Sequence, residues 1–374
     1  MLRSLLAAAL IAAIALTATW ITVPDLPGAQ DRAAVTPSTG SSDPVAADPD
    51  ADADAEPAAE PAPAATPEPA DAAAQEATED VGEDVAPSPM DGLSVTRAED
   101  PARSIVEDAD GEWIATFTDG AYTVTLAGPV REFDEPTATH AVTTDRWVRI
   151  LDAPFDGEVD GEWLATARDD RSPDVLEVAT EYFEDAPDVV DEDGVLISAA
   201  AEYGPLQPDG SRPVGSDWHD FRGVDATYGD DVDPADPEEY RSLDCSGYVR
   251  IVYGFRFGIP MSLRPDAGTT LPRRSFEQAA DAPGVVLIPH EGTRPTDLQA
   301  LDAGDLVFFD APSDDDGRID HVGIYLGVDD GGQHRFIHSR RSHNGPTLGG
   351  DDSGASVLDG DGFFARGFRA GRRL

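Results

Sequence analysis

At 374 residues the chain has room for two modest domains. Its formal net charge of −48 and pI near 4.1 exclude nucleic acid as a partner and argue against anionic lipid, since phosphate groups are bound through basic surface. Lysine is absent, so arginine carries every fixed positive charge, and the single cysteine rules out both an intramolecular disulfide and a cysteine-rich metal cage.

Taken in chain order, Arg3 precedes an apolar run from Leu5 to Val23 that closes at Pro24. A short basic start and an apolar core are the layout of an export signal. The run is also just long enough, at about 20 residues, to stay as a membrane anchor. Residues 1–24 are therefore expected to be a signal peptide or a signal anchor, placing the protein outside the cell or in the envelope. From Thr36 to about Pro89 the chain is nearly all Ala, Pro, Asp, Glu, Ser and Thr. It holds too few bulky residues to offset chain entropy, so residues 25–100 are expected to be a disordered, extended spacer.

Ordered sequence is expected from near Ala102, with a small, mixed, mainly β domain over 101–190. Strands are predicted at Trp113–Phe117, Ala121–Leu126 and Trp147–Leu151, separated by turns at Asp119-Gly120 and Asp156-Gly157. After Ser172-Pro173, suited to a helix cap and first position, Val175, Leu176, Ala179 and Phe183 recur at helical spacing. No binding constellation stands out in this part.

The informative stretch begins at Leu243. Tyr248, Val249 and Val252 give one apolar face at helical spacing, with Gly254 as a stop. Asp244 has the residue type of an N-cap, which puts Cys245 in the first helical turn. Open amides and the helix dipole there favour a thiolate. Downstream, Leu306–Phe309 and Val322–Leu326 read as buried strands joined by a turn at Ser313–Gly317, and Arg335–His338 as a third strand after Asp329–Gly332. His321 and His338 then fall on adjacent antiparallel strands. If both face the cysteine helix, they supply a base and a residue that orients it.

These residues carry a resemblance. Asp-Cys-Ser-Gly (244–247), Leu-Pro-Arg-Arg-Ser-Phe-Glu-Gln (271–278), Ala-Gly-Asp-Leu-Val-Phe-Phe (303–309), His-Val-Gly-Ile-Tyr-Leu-Gly (321–327) and Phe-Ile-His-Ser (336–339) resemble the NlpC family of cell-wall cysteine peptidases, in its order and at compatible spacing. The resemblance covers roughly Leu196 to the C-terminus. It implies an α+β, papain-like catalytic domain over 191–374, in which the cysteine helix packs on an antiparallel sheet. It also implies hydrolysis of peptidoglycan stem peptides, typically between D-glutamate and a diamino acid. Cys245 is matched to the family's nucleophile, His321 to its base and His338 to the polar residue on the next strand. Many members have a Tyr-x-Trp-Gly-Gly run before the cysteine; here Ala226-Thr227-Tyr228-Gly229 stands nearest, and Tyr228 is matched to the tyrosine that shapes the site. The expected mechanism starts from a Cys245 thiolate paired with an imidazolium at His321.

Other readings rate lower. His334 and His338 do not share a site on a strand, and Asp314-Asp315-Asp316-Gly317 lacks the remaining ligands of a calcium loop, so no metal or other cofactor is expected. Asp320 should face away from His321 across the sheet. Arg273 and Arg274 are exposed candidates for meeting an acidic stem peptide. A monomer acting on stem peptides is expected, the alternatives being an amidase or acyltransferase with a non-wall substrate and a non-catalytic wall-binding module.

Overall fold

The computed structural model describes residues 88–311, 317–350 and 354–374. The expected signal segment, most of the expected spacer and the turn at 313–316 lie outside these residues.

The described chain combines helices with antiparallel sheets. The first sheet is a meander of β1 (Ser94–Ala98), β2 (Arg103–Glu107), β3 (Trp113–Thr118), β4 (Thr123–Phe133) and β5 (Val142–Ile150). Val106, Ala115, Phe117, Val124 and Leu126 alternate onto one buried face with Trp147. Structure thus begins before residue 101. β1 is an exposed edge strand whose Ser-Val-Thr-Arg-Ala composition looks like spacer, yet Arg97 holds it to Asp119 at 2.5 Å.

Two short helices follow, α1 (Gly161–Asp169) and α2 (Val175–Thr180). The sequence reading missed α1, which the Asp160 carboxylate caps by accepting from Glu162 N and Trp163 N. α2 is capped by Asp174 and not by Ser172: the Asp174 carboxylate accepts from Glu177 N at 3.0 Å, and Phe183 lies past the helix end.

After the small pair β6 (Val189–Val190) and β7 (Leu196–Ser198) come α3 (Trp218–Arg222) and the hairpin β8 (Ala226–Tyr228) and β9 (Asp231–Asp233). α4 (Cys245–Val249) runs straight into a π-helical stretch over Arg250–Arg256. Gly254 therefore does not stop the helix. It lets Met261 approach, since a Cβ there would lie 2.2 Å from the Met261 sulfur.

The second sheet is assembled from α5 (Ser275–Asp281) onward: β10 (Val285–Ile288), β11 (Leu306–Phe309), β12 (His321–Val328), β13 (His334–Arg340), β14 (Gly345–Thr347), α6 (Phe363–Gly367) and β15 (Phe368–Arg373). Its order is β10-β15-β11-β12-β13-β14, with antiparallel neighbours throughout. α4 packs on β12 and β13. Tyr248, Val249 and Val252 share a core with Val175, Leu176, Leu306, Ile324 and Ile337. The Tyr248 hydroxyl donates to the Ala179 carbonyl at 2.6 Å, pinning α4 to the end of α2.

Both sheets fall in one compact unit of the described residues. Thr123 donates through N and Oγ1 to the Leu374 carbonyl, and Arg373 donates to Thr118 Oγ1 while pairing with Asp305. Glu135, on the loop between β4 and β5, accepts from Thr347 Oγ1 and Leu348 N at the far edge of the second sheet.

Candidate active site

Asp244 caps α4: its Oδ1 accepts from Gly247 N at 2.8 Å, which places Cys245 at the first helical position. Gly247 is needed there, because a Cβ would lie 2.3 Å from the Ser216 carbonyl oxygen. The helix start is thus pressed onto the Ser216–Asp217 backbone. Cys245 is buried, and its thiol points at the Asp320 carbonyl at 3.9 Å, immediately before His321 at the head of β12.

His321 and His338 are both buried and are brought together: His321 Nε2 lies 2.6 Å from His338 Nδ1. His338 Nε2 in turn lies 3.0 Å from Ser356 Oγ. The Phe364 ring packs against both imidazoles, with centroids 5.3 Å from His321 and 4.4 Å from His338. Asp320 is not part of this chain; its Oδ1 accepts from Ala311 N. His334 is engaged elsewhere, with Nδ1 2.7 Å from the Tyr325 hydroxyl.

Burial dominates the electrostatics. The Cys245 thiol is pushed up to about 12 by desolvation and by the neighbouring Asp244 carboxylate, with the Val322 amide and Arg273 acting in the opposite sense. His321 is pushed down to about 3 by desolvation and by the positive charge of Arg340. His338 is held well below the ordinary imidazole range by burial and its histidine neighbour. Burial thus works against charge on the thiol and on both imidazoles. Against the expected thiolate–imidazolium pair works the cost of charging a buried group, which one turn of helix dipole, at about 0.3–1 kcal/mol, offsets only in part.

Tyr228 is placed elsewhere than expected. Its hydroxyl lies 2.9 Å from Trp218 Nε1 and accepts from Arg250 Nη2, a packing position between α3 and the π-helical stretch. The tyrosine beside the cysteine is Tyr203. It is buried, it lines a cavity of about 400 Å³ together with His321, Asp320 and Phe364, and its hydroxyl is raised by desolvation and by the charges of Cys245 and Asp244. The sequence signal was a lone Tyr203-Gly204-Pro205 without tryptophan, 42 residues before the cysteine.

Arg273 also differs from expectation. It is buried and donates to both oxygens of Asp244 (3.2 and 2.8 Å) and to Ser246 Oγ (2.7 Å), and its Nε lies 3.6 Å from Asp217. It neutralises the cap instead of facing solvent. Arg274 is exposed, and with Phe276 and Arg318 it lines a second cavity, of about 220 Å³, that contains Cys245. The two cavities share Val214 and Asp320, one of them lined by Cys245 and the other by His321.

Among the described residues no group of three or more His, Cys, Asp or Glu is arranged to hold a metal ion.

Residues 235–348 match the model of the NlpC/P60 family. They form an NlpC/P60 domain. The match spans Cys245, His321 and His338; Tyr203, Ser356 and Phe364 fall outside it. Two solved NlpC/P60 structures are similar at low identity. A lipoprotein-like NLP/P60-family protein of Staphylococcus aureus is 16% identical, with 66% of this chain and 56% of that chain covered and a TM-score of 0.25. An NlpC/P60-family protein of Bacillus cereus is 14% identical, with 75% and 78% covered and a TM-score of 0.28. The chain therefore spans just over half the length of the first of these. No curated protein sequence matches.

Proposed function

We propose that the protein is a cysteine endopeptidase that cuts peptidoglycan stem peptides, at the bond from D-glutamate to the diamino acid, in cell-wall remodelling. The observation that carries this reading is the convergence of three elements: Cys245 at the start of α4, His321 at the head of β12 and His338 on β13, with the two histidines joined at 2.6 Å. A cysteine helix packed on an antiparallel sheet suits a papain-like arrangement, and the NlpC/P60 domain supports the substrate class. In this reading the apolar segment at the start directs the protein to the envelope or outside it, and the acidic, proline-rich segment spaces the catalytic part from the membrane. It works as a monomer and needs no cofactor.

The mechanism follows from a neutral starting pair. As Sγ attacks the scissile carbonyl, its proton passes to Nδ1 of His321, the ring nitrogen not bonded to His338. The tetrahedral oxyanion turns toward the Cys245 backbone amide at the helix start and the Tyr203 hydroxyl. His321 returns the proton to the leaving amine, and water then hydrolyses the thioester. Arg274 and Arg318 place positive charge beside the cysteine on an otherwise acidic chain, which suits the free carboxylates of a stem peptide.

Digestion of purified sacculi followed by mass spectrometry tests the reading. Wild type should release fragments ending at D-glutamate and Cys245→Ala should release none; equal products from both would sink it. A second reading, acyl transfer from a lipid donor, draws on a largely apolar cavity of about 430 Å³ that adjoins the cysteine cavity through Phe276, Arg318 and Ile319. Labelling of Cys245 by an acyl-lipid donor, without sacculus cleavage, is the outcome that would favour it.

A further inference from the structure

The hydrogen bonds around the histidines run in one direction only. The Gly349 carbonyl can accept but never donate, and Ser356 Oγ donates its single proton to it at 2.7 Å. With that proton committed, Ser356 Oγ faces His338 Nε2 as an acceptor at 3.0 Å, so His338 carries its proton on Nε2. His338 Nδ1 is then an acceptor, and at 2.6 Å it receives the Nε2 proton of His321. His321 Nδ1 is then the unprotonated nitrogen of that ring, and in the proposed mechanism it takes the proton of Cys245. We infer that Ser356 is a positioning residue that sets the tautomer of both histidines, and so decides which nitrogen of His321 serves as the base. The catalytic consequence rests on the proposed cysteine-peptidase reading, whereas the tautomers themselves do not.

The far part of the relay is fully buried, with Ser356 and His338 both at 0% exposure, so no bulk water stands ready to replace the serine as acceptor. Its far end is held by the segment between β4 and β5. Glu135 accepts from Thr347 Oγ1 at 2.7 Å, Thr347 Oγ1 accepts from Gly349 N at 2.8 Å, and Gly350 N donates to the Thr137 carbonyl. Gly349 itself must lack a side chain, because a Cβ would lie 1.9 Å from Thr137 Oγ1. The first sheet thus contributes to the site by fixing where the Gly349 carbonyl stands.

Removing the acceptor lets His338 move its proton to Nδ1. That nitrogen then donates to His321 Nε2 and leaves the only His321 proton on Nδ1, the nitrogen that must be unprotonated to act as a base. Holding a triad base in the wrong tautomer costs on the order of 10⁴ in kcat. Ser356→Ala, which restores the mixture only in part, is expected to lose at least about tenfold in kcat with KM within about twofold.

The test uses the full chain with ¹⁵N-labelled histidine. Wild type should show His321 and His338 protonated on Nε2, and Ser356→Ala should move protons to Nδ1 on both while remaining folded by circular dichroism. In a His338→Asn background the side-chain amide oxygen accepts from His321 without help, so adding Ser356→Ala there should change kcat little. The inference is overturned if Ser356→Ala keeps the wild-type tautomers, or if its loss of kcat is undiminished beside His338→Asn. If wild type cuts no stem peptide at all, the peptidase reading fails on its own, and the NMR arm still decides the relay.

Discussion

Replacing Arg273 by methionine should unfold this protein more readily than its place beside the cleft would suggest. Arg273 is 9% exposed and reaches two carboxylates that are 2% and 1% exposed, Asp244 at 2.8 Å and Asp217 at 3.6 Å. Asp217 keeps Arg250 at 3.1 Å, but Asp244 has no second cation among the ion pairs of the described residues and would be left a buried, uncompensated anion. Breaking such a pair by removing one partner costs about 3–5 kcal/mol. For a folded unit of this size that corresponds to a fall in Tm on the order of 10 °C. The direction with pH follows from Asp217, whose carboxyl sits well below the usual carboxylate range because Arg250 and Arg273 flank it. A depressed acid stabilises above its unfolded value near pH 4 and loses that contribution as pH falls further, so the deficit of Arg273→Met should be full at pH 7 and shrink below about pH 4. Urea unfolding at pH 7 and pH 3 measures both. Asp244→Asn keeps a capping oxygen, so Arg273→Met with Asp244→Asn should recover about 1–2 kcal/mol of the single-mutant loss. A loss below about 1 kcal/mol for Arg273→Met, or a double mutant no better than the single, would refute the reasoning.

Two further expectations concern chemistry. Tyr203→Phe should lower kcat by about 10²-fold with little change in KM, as removal of one oxyanion donor does, while Tyr228→Phe should leave kcat within a few-fold and reduce stability, since its hydroxyl serves Trp218 and Arg250; steady-state kinetics on a stem peptide would expose the reverse pattern. With the thiol pushed up to about 12 and His321 down to about 3, iodoacetamide alkylation of Cys245 in the substrate-free protein should keep rising with pH above 8, because the thiolate is the reacting species. A rate plateau already reached at neutral pH would show a resting thiolate and contradict the neutral pair.

How much of this was legible in the sequence depends on how local the cause is. The cap at Asp244, the first-turn position of Cys245 and the strands bearing His321 and His338 are set by neighbours within a few residues, and period-2 and period-3.6 patterns report them directly. The identity of the tyrosine was not legible, because Tyr203 reaches the cysteine through the parallel bridge between Glu202 and Ser242, a contact across 40 residues that leaves no local pattern. Arg273 looked like a solvent charge for the same reason: its partners Asp217 and Asp244 come from two distant segments, and only the fold makes it a buried cation. β1 was hidden by a different cause, since an exposed edge strand with one charged and two hydroxylated residues has the composition of a spacer.

The protonation of the site was the least legible property, and its cause ties the two sheets together. A helix N-terminus argues for a thiolate when considered alone, but burial and the neighbouring Asp244 carboxylate favour the neutral thiol. A neutral pair is useful only if the lone pair of His321 already points toward the sulfur, because no electrostatic attraction of an imidazolium for a thiolate draws the ring into place. Orientation must then come from hydrogen bonds of fixed polarity, and the chain through His338 and Ser356 to the Gly349 carbonyl has that property. Glu135 and Thr137, which hold the Gly349 turn, come from the segment that sequence patterns assigned to a separate β-rich domain. Through that packing the first sheet bears on the geometry of the cysteine-bearing part.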